Sequence, residues 1–554
     1  MISTPRLIIK SPKNGLVTIR SPVPVILPQV IQPKPITLYP YQEEHIRKLS
    51  LIFQTNYVAL DYSNMGRGKT FTSSILGTYY KYPIILITSR TLFPVWTEME
   101  TKHGTVIDDK ITYGILRGIK GKKCNHPYLI RTPDNKFLPT QYLLSVINEG
   151  RLFIFDEMSE LKNYTTATSK AAHAIIKAII SRKTKSRALL LSAFPTDKIK
   201  HILTLIQLLG IAYSDTFVEY DKRAKIYNMT GMLEVINWCY QRNFTLTKEI
   251  ISHHSTSNKQ SIMKMGTELY RLIISDCLSS CMVGGSSAEI KNGYYPIDKE
   301  SLAVLEDGER FLSRAVHYRK EDGQVSRRTI NWGMVTRGIK LLGKSKLRIM
   351  AQLSKVYLTS NPQSKGVICV WFVSHIKWLA EALKEYGAET FYGKTKMNQR
   401  QPVIDRFQDP NSSCRILIIN PTVGGKGLSL DDRDGKHPRW MLLMPDYRIM
   451  DLVQCTGRVY RKSTVSKDQT MIRFVYTRAF KTESKILTSL IQKSDNARIV
   501  IGNKSGIRLP DSYQTDDQIK VLPDIPLPPL PDPIEEEESE HPPKNENCLP
   551  ILLI

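Results

Sequence analysis

The chain has 554 residues, 41% hydrophobic and 23% charged, and its 78 Lys and Arg against 52 Asp and Glu give a formal net charge of +26. That length carries two or three domains with substantial cores and excludes a small stapled scaffold, and the composition excludes a membrane-embedded or wholly disordered chain. The basic excess favours a polyanionic partner, either nucleic acid or an anionic surface. Of the eight cysteines only Cys277 and Cys281 lie close together. Two ligands cannot close a tetrahedral zinc shell, so no metal site is expected of them, and the usage fits a reducing compartment. No apolar run approaches the ~18 residues that span a bilayer, and Met1–Gly15 has no signal-peptide core, so a soluble, intracellular, non-secreted protein is expected.

In chain order, residues 1–37 read as an extended basic arm: the first forty residues hold eight prolines, and Arg6, Lys10, Lys13, Arg20 and Lys34 are their only charges. Short apolar runs then alternate with helical stretches, the pattern of parallel sheets covered by helices. Strands are expected at Tyr57–Leu60, Ile84–Thr88, Leu152–Phe155, Ala188–Leu191, Val367–Phe372, Ile416–Asn420 and Trp440–Met444. Four precede residue 200 and three follow 365, which predicts two α/β lobes. Lobe one is placed at 38–345 with a helix-leaning insertion at about 198–290, lobe two at 346–505, and the boundary near Gly343–Lys346. Residues 506–554 read as a Pro-rich acidic tail, expected to be disordered. From Val521 onward it has eight acidic residues against Lys544.

After the first strand comes Ser63-Asn64-Met65-Gly66-Arg67-Gly68-Lys69-Thr70 and then a helix-forming stretch. Glycines let such a loop curl until its backbone N–H groups face a phosphate, Lys69 reaches the outer phosphates, and the Thr70 hydroxyl can ligate magnesium. The spacing is that of a Walker A loop, with Ser63 in place of the usual leading glycine. A nucleotide site also needs carboxylates at a neighbouring strand end, and Asp156-Glu157 directly after Leu152–Phe155 supplies them. Asp156 is expected to hold magnesium and Glu157 to activate the attacking water.

With these motifs in place the chain resembles the superfamily-two helicases and translocases, and within them the Swi/Snf-type ATPases and the nucleoside triphosphatases of large DNA viruses. Tyr39-Pro-Tyr-Gln42 resembles the adenine-recognition element, with Gln42 reading the base edge. Pro83 to Arg90, followed by Trp96 and Glu98, resembles the next strand and loop, which implies nucleic-acid contacts from Ser89 and Arg90. Lys162-Asn163 follows the acidic pair in the Swi/Snf manner. Ser192-Ala193-Phe194-Pro195 is similar to the motif that couples hydrolysis to movement, with Phe194 in place of threonine. In lobe two, Gly366 to Phe372 and the segment from Tyr392 through Arg400 to Phe407 match. Gly424-Gly425-Lys-Gly427 resembles the loop that approaches the nucleic-acid backbone, and Gln454-x-x-Gly457-Arg458-x-x-Arg461 the terminal arginine motif. The resemblance covers roughly residues 38–465.

It implies two RecA-like lobes, ATP and magnesium as cofactors, and a nucleic-acid-dependent ATPase motor, a helicase or duplex-DNA translocase, working by a clamp. Lys69, Asp156 and Glu157 lie on one lobe and Gln454, Arg458 and Arg461 on the other, so that closure completes the site. Sequence-independent contact with nucleic acid is expected, DNA favoured through Lys162-Asn163, and no membrane partner. Basic clusters at Arg117–Lys123, Arg182–Arg187 and Arg327–Arg348 are candidates for phosphate contact. An RNA-tracking helicase, an ATPase switch without a track and a non-catalytic nucleic-acid scaffold are the alternatives. The departure at Phe194 leaves translocation without unwinding open. A viral setting, in transcription or replication, follows from resemblance alone, and the acidic tail is a candidate contact for a basic protein or for the cleft.

Overall fold

The apolar runs of the first half form strands because both faces of the sheet they build are covered by helices. In the computed structural model, which describes residues 37–119, 124–214, 217–221, 223–283, 288–321, 324–424, 428–461, 463–477, 481–501, 513–515 and 526–531, the strands β1 (Val58–Asp61), β2 (Ile84–Thr88), β3 (Ile107–Thr112), β4 (Leu152–Asp156), β5 (Arg187–Leu191) and β6 (Ser279–Ser280) pair in parallel in the order β6-β1-β5-β4-β2-β3. A second parallel sheet follows, from β7 (Glu289–Tyr295), β8 (Lys365–Cys369), β9 (Glu389–Phe391), β10 (Ile416–Ile419), β11 (Arg439–Leu443), β12 (Met471–Thr477) and β13 (Gln514–Thr515), in the order β9-β10-β8-β11-β12-β7-β13. The protein is α/β with two parallel-sheet lobes, and all seven expected strands are present. No described helix is long and apolar enough to cross a membrane.

The lobes meet earlier in the chain than the sequence suggested. One apolar core runs from Leu49 to Leu278 and the other takes over at Ala288. The chain changes sheets between Ser280 and Glu289, so residues 289–345 belong with lobe two. The boundary near Gly343–Lys346 is therefore corrected. The strand that reveals the crossing, Glu289-Ile-Lys-Asn-Gly-Tyr-Tyr295, carries Glu289, Lys291 and Asn292 in place of an apolar run and lies next to the sheet edge, where such a run is not required. The insertion is helix-rich as expected, with helices at Ile199–Leu208, Thr230–Tyr240, Phe244–Ser252 and Lys259–Leu269. It returns through β6 to the lobe-one sheet, beside β1.

Two described pieces of the tail are docked, against the expectation of disorder. Gln514–Thr515 pairs with β7, and Tyr513 is buried against Phe474 with ring centroids 5.1 Å apart. Further on, the Trp378 indole N–H donates to the Pro529 carbonyl at 2.7 Å and Leu530 is buried. Proline keeps such a segment extended and leaves its carbonyls available to a donor.

Lobe two also contains an acid-sensitive element. His375, fully buried on the helix Val373–Ala382, lies against Gly343, and burial together with Lys340, Lys344 and Lys346 pushes its imidazole down from 6.5 to about 3. Below pH 6.5 the unfolded chain takes up a proton here that the folded chain refuses, so stability is complete above that pH and falls as the pH drops towards 3. Between pH 7 and pH 5 the loss from this group is about 2 kcal/mol. Denaturant midpoints at the two pH values measure it, and His375→Gln should flatten the difference.

Candidate functional site

In a parallel sheet the loops after the C-terminal strand ends share one edge, and here Asp61, Thr88, Asp156 and Leu191 all end there. The loop after β1 turns through Gly66 and Gly68, with φ of +71° and +89°, a region that side chains rarely adopt. Gly68 caps the helix Lys69–Tyr80, and a Cβ there would also lie 2.5 Å from Gln42 Nε2. The helix N-terminus thus faces the loop, the arrangement that receives an anion. Lys69 Nζ donates to the carbonyls of Ser63 at 2.7 Å and Asn64 at 3.2 Å. Thr70 opens the first turn of the same helix.

Gln42, expected to read the base edge, is buried next to this loop with both ends of its amide engaged there. Its oxygen accepts from the Tyr39 amide at 3.1 Å and its nitrogen donates to the Arg67 carbonyl at 2.9 Å. Arg67 lies over the Tyr41 ring at 5.0 Å, and Tyr41 stacks on Tyr39.

The carboxylates lie at the end of β4. Burial pushes Asp156 up to about 6, opposed by the Trp96 indole N–H, which donates to Oδ2 at 2.8 Å, and reinforced by the charge on Glu157. Trp96 is a contributor that the sequence showed only through resemblance; an indole carries one donor, and once buried it seeks an acceptor. The Tyr113 hydroxyl fixes the same residue through its carbonyl at 3.0 Å. Glu157 has φ 61° and ψ 54°, a left-handed conformation that is costly for a side-chain-bearing residue. Three donors converge on its Oε1: Ser159 Oγ at 2.8 Å, Ser192 Oγ at 3.3 Å and, from the other lobe, Gln454 Nε2 at 2.8 Å.

That last bond shows the lobes closed on each other. The helix Ile449–Val459 carries Gln454, Gly457 and Arg458, with Arg461 just beyond its end. A Cβ on Gly66 would lie 3.6 Å from Arg461 Cγ, and one on Gly457 would lie 2.8 Å from Met65 Cε and 3.1 Å from its Cβ. Arg458 and Arg461 both donate to the Leu428 carbonyl. Burial lowers Arg458, and burial with the charge of Arg458 brings Arg461 down to about 9. Lys69 is likewise lowered by burial, against the pull of Asp61, Glu157 and Asp156. Two guanidiniums and an ammonium therefore crowd a partly dehydrated cleft, where an anion would restore their ordinary basicity. Arg461 Nε and Asn64 Oδ1 are buried with no hydrogen-bond partner among the described residues, which suits a polar ligand at this loop. The buried Asp156 carboxyl, raised by burial and by Glu157, suits a cation beside it. Among the described residues no group of three or more His, Cys, Asp or Glu side chains could hold a metal alone.

The close approach at Gly457 gives a direct prediction. Gly457→Val would drive a branched side chain into Met65 of the opposite lobe, so ATPase turnover should fall at least about tenfold while nucleotide affinity, carried mainly by lobe one, changes little. Steady-state kinetics together with nucleotide titration measures both.

Ser192, Ala193 and Phe194 are all buried. Ser192 reaches Glu157, and Phe194 joins the apolar core of lobe two although its chain segment belongs to lobe one. The replacement of threonine by phenylalanine thus adds an apolar contact across the cleft.

The expected nucleic-acid contacts are placed unevenly. Ser89 and exposed Arg90 lie at the end of β2, on the same edge as Asp156, with Ser89 Oγ 2.9 Å from Thr91 Oγ1. Gly424 is buried, against Ile419, and Gly425 and Gly427 lie outside the described residues. Lys162 and Asn163 are occupied internally: Lys162 Nζ is 3.4 Å from Asp197 Oδ1 and 2.8 Å from Met450 Sδ, and Asn163 Oδ1 is 3.0 Å from His201 Nε2. The Arg182–Arg187 cluster precedes β5 and so lies at the opposite edge from the site, where Arg187 stacks on Tyr57 at 4.7 Å. In the third cluster Lys346 is buried in an ion pair with Glu483, and Arg348 pairs with Glu300 at 2.6 Å. Lys162, Asn163, Arg187, Lys346 and Arg348 are thus engaged within the protein, whereas Arg182, Lys183 and Lys185 are exposed. Lys120 to Lys123 lie outside the described residues.

The chain is also similar to known proteins. The helicase conserved C-terminal domain matches residues 346–463. A putative ATP-dependent RNA helicase of Acanthamoeba polyphaga mimivirus is 23% identical over 475 residues, covering 83% of this chain and 82% of that protein. The chromatin remodeling factor mit1 of Schizosaccharomyces pombe is 21% identical over 82% of this chain, which spans only 32% of that protein. Among solved structures, the Sulfolobus solfataricus SWI2/SNF2 ATPase core in complex with dsDNA aligns over 87% of this chain and all of that one, at 15% identity and a TM-score of 0.30.

Proposed function

The chain belongs to the superfamily-two helicases, related to the Snf2-type ATPases and to viral helicases, and from that premise we propose that it is a nucleic-acid-dependent ATPase that moves along its track by opening and closing the cleft between its lobes. The observation that carries this reading is the position of Arg461, delivered by lobe two against the Gly66 turn of lobe one.

In this reading the triphosphate binds to the backbone of the loop 64–70 and the N-terminus of the helix Lys69–Tyr80, displacing Lys69 Nζ from the Ser63 and Asn64 carbonyls onto the outer phosphates. A magnesium ion, held by the Thr70 hydroxyl and Asp156, would neutralise phosphate charge when bound. Glu157 orients the attacking water through Oε2, because Ser159, Ser192 and Gln454 engage Oε1. Arg458 and Arg461 take up charge that develops on the γ-phosphoryl group, and only with the cleft closed. Hydrolysis splits the γ-phosphoryl group from the diphosphate, and departure of the inorganic phosphate removes the anion that bridges the lobes, which lets them part.

The track in this reading is a nucleic-acid backbone, contacted through loops at the cleft edge such as Ser89–Arg90. Duplex DNA is the proposed track on the likeness to a chromatin remodeling factor, although Lys162-Asn163 no longer argues for it. RNA is the second reading, favoured by the likeness to the putative ATP-dependent RNA helicase of the mimivirus. An ATPase assay with duplex DNA, single-stranded DNA and RNA decides between them. At least about tenfold stimulation by duplex DNA supports the proposal, and stimulation by RNA alone selects the second reading. Indifference to all three contradicts the motor.

A further inference from the structure

We propose that Ser63 is a positioning residue that ties the phosphate loop to the crossover between the lobes, so that movement of lobe two reaches Lys69 through the chain as well as across the cleft. The inference rests on the motor reading and adds a second route of coupling to it.

The crossover begins at β6, which lies beside β1, and its next residues run along the phosphate loop. The Tyr62 amide donates to the Ser280 carbonyl at 3.2 Å, the Met282 amide donates to Ser63 Oγ at 2.8 Å, the Asn64 amide donates to the Met282 carbonyl at 3.4 Å, and Arg67 donates to the Val283 carbonyl at 3.1 Å. The second of these bonds requires a hydroxyl at position 63, where a glycine would offer nothing. This gives the departure from the ordinary loop spacing a physical reason.

Ser63 uses all its polar groups. Its amide donates to Asp61 Oδ1 at 2.9 Å, its side chain takes the crossover, and its carbonyl accepts from Lys69 Nζ at 2.7 Å. One residue therefore joins the exit of lobe one to the lysine that the phosphates must recruit. A shift of the crossover at Met282 tilts the peptide whose carbonyl holds Lys69, and release of Lys69 to a nucleotide shifts the crossover in return, as reciprocity requires.

The base of this connection is stiff. His45 lies between Asp61 and Ser280, with Nε2 3.0 Å from Asp61 Oδ2 and Nδ1 2.8 Å from Ser280 Oγ. The Ser-His-Asp order invites comparison with a hydrolase triad, but all three side chains are buried. No substrate carbonyl can approach the Ser280 hydroxyl, and the chain of bonds braces the ends of β1 and β6 against each other. The His45–Ser280 hydrogen bond and the His45–Asp61 contact hold the end of β6 beside β1, so Met282 leaves from a fixed point next to the phosphate loop.

The test uses Ser63→Ala, which removes the acceptor, Met282→Pro, which removes the donor, and the double variant. The quantity read is the ratio of nucleic-acid-stimulated to basal ATPase rate, which a uniform loss of folded or active enzyme does not alter. Each single variant should lower that ratio about five- to tenfold, and the double variant no further, because both delete one bond. Ser63→Thr, which keeps the hydroxyl, should retain most of the stimulation and covers the case in which proline at 282 prevents folding. Equal losses of basal and stimulated rates, an unchanged ratio, or additive effects in the double variant would overturn the coupling while leaving the motor reading in place. A wild-type enzyme that no nucleic acid stimulates overturns the motor reading, and the coupling falls with it.

Discussion

Arg461→Ala should lower the rate of ATP hydrolysis at saturating nucleotide by about 10³–10⁵-fold, the range found when an arginine supplied across an interface is removed from a phosphoryl-transfer site. The expectation follows from placement. Arg461 packs against the Gly66 turn, its basicity is depressed by burial and by Arg458, and its Nε finds no partner among the described residues. A cation held this way is unfavourable until charge appears opposite it, so its stabilising effect should concentrate in the transition state. Nucleotide affinity should change by less than about tenfold, since the loop and Lys69 remain. Arg461→Lys should recover little, because an ammonium cannot reproduce the planar fork of donors. Single-turnover hydrolysis paired with nucleotide titration separates the two effects, and an equal loss in both would show that Arg461 only helps to bind.

Glu157→Gln should reduce turnover by about 10²–10⁴-fold, the usual contribution of a positioned general base, with nucleotide binding preserved or tightened. The amide keeps the shape of the side chain and can still accept from Ser159, Ser192 and Gln454 through its oxygen, so the left-handed backbone and the contact between lobes should survive. What is lost is the atom that takes a proton from water. Removing a negative charge next to Asp156 should also lower the Asp156 carboxyl from about 6, since Glu157 is one of the groups that raise it. Rapid-quench hydrolysis and binding of a labelled nucleotide check the pair of expectations, and a variant that turns over normally would assign the proton to another group.

The central strands and the nucleotide loops were legible because fully buried parallel strands must be apolar throughout, and because phosphate binding restricts which residues can follow them. Leu152–Phe155 with Asp156-Glu157 at its end is the clearest case. The Glu289–Tyr295 strand was not legible, since its neighbours and covering elements, rather than its own periodicity, make it a strand, and missing it misplaced the lobe boundary by more than fifty residues. The docking of Trp378 on Pro529 was hidden for a similar reason, because composition alone makes a Pro-rich tail look unbound. At the site, the sequence grouped Lys69, Glu157, Gln454 and Arg461, which the structure places around one cleft, but could not say that Lys162, Arg187, Lys346 and Arg348 are engaged inside the protein. Charge counted along a chain does not distinguish a paired cation from one that faces a ligand. Trp96 and Ser63 belong to a further group, whose roles rest on particular hydrogen bonds and become visible only with the partners in place.

The central claim is that a nucleotide held by lobe one is also gripped by lobe two. Hydrogen exchange with and without a slowly hydrolysed ATP analogue tests it most directly. The account predicts protection of 63–80 together with the helix Ile449–Val459 and residues 460–461, and loss of both on Lys69→Ala. Protection confined to lobe one, with the arginine helix exchanging at the same rate in both states, would contradict it.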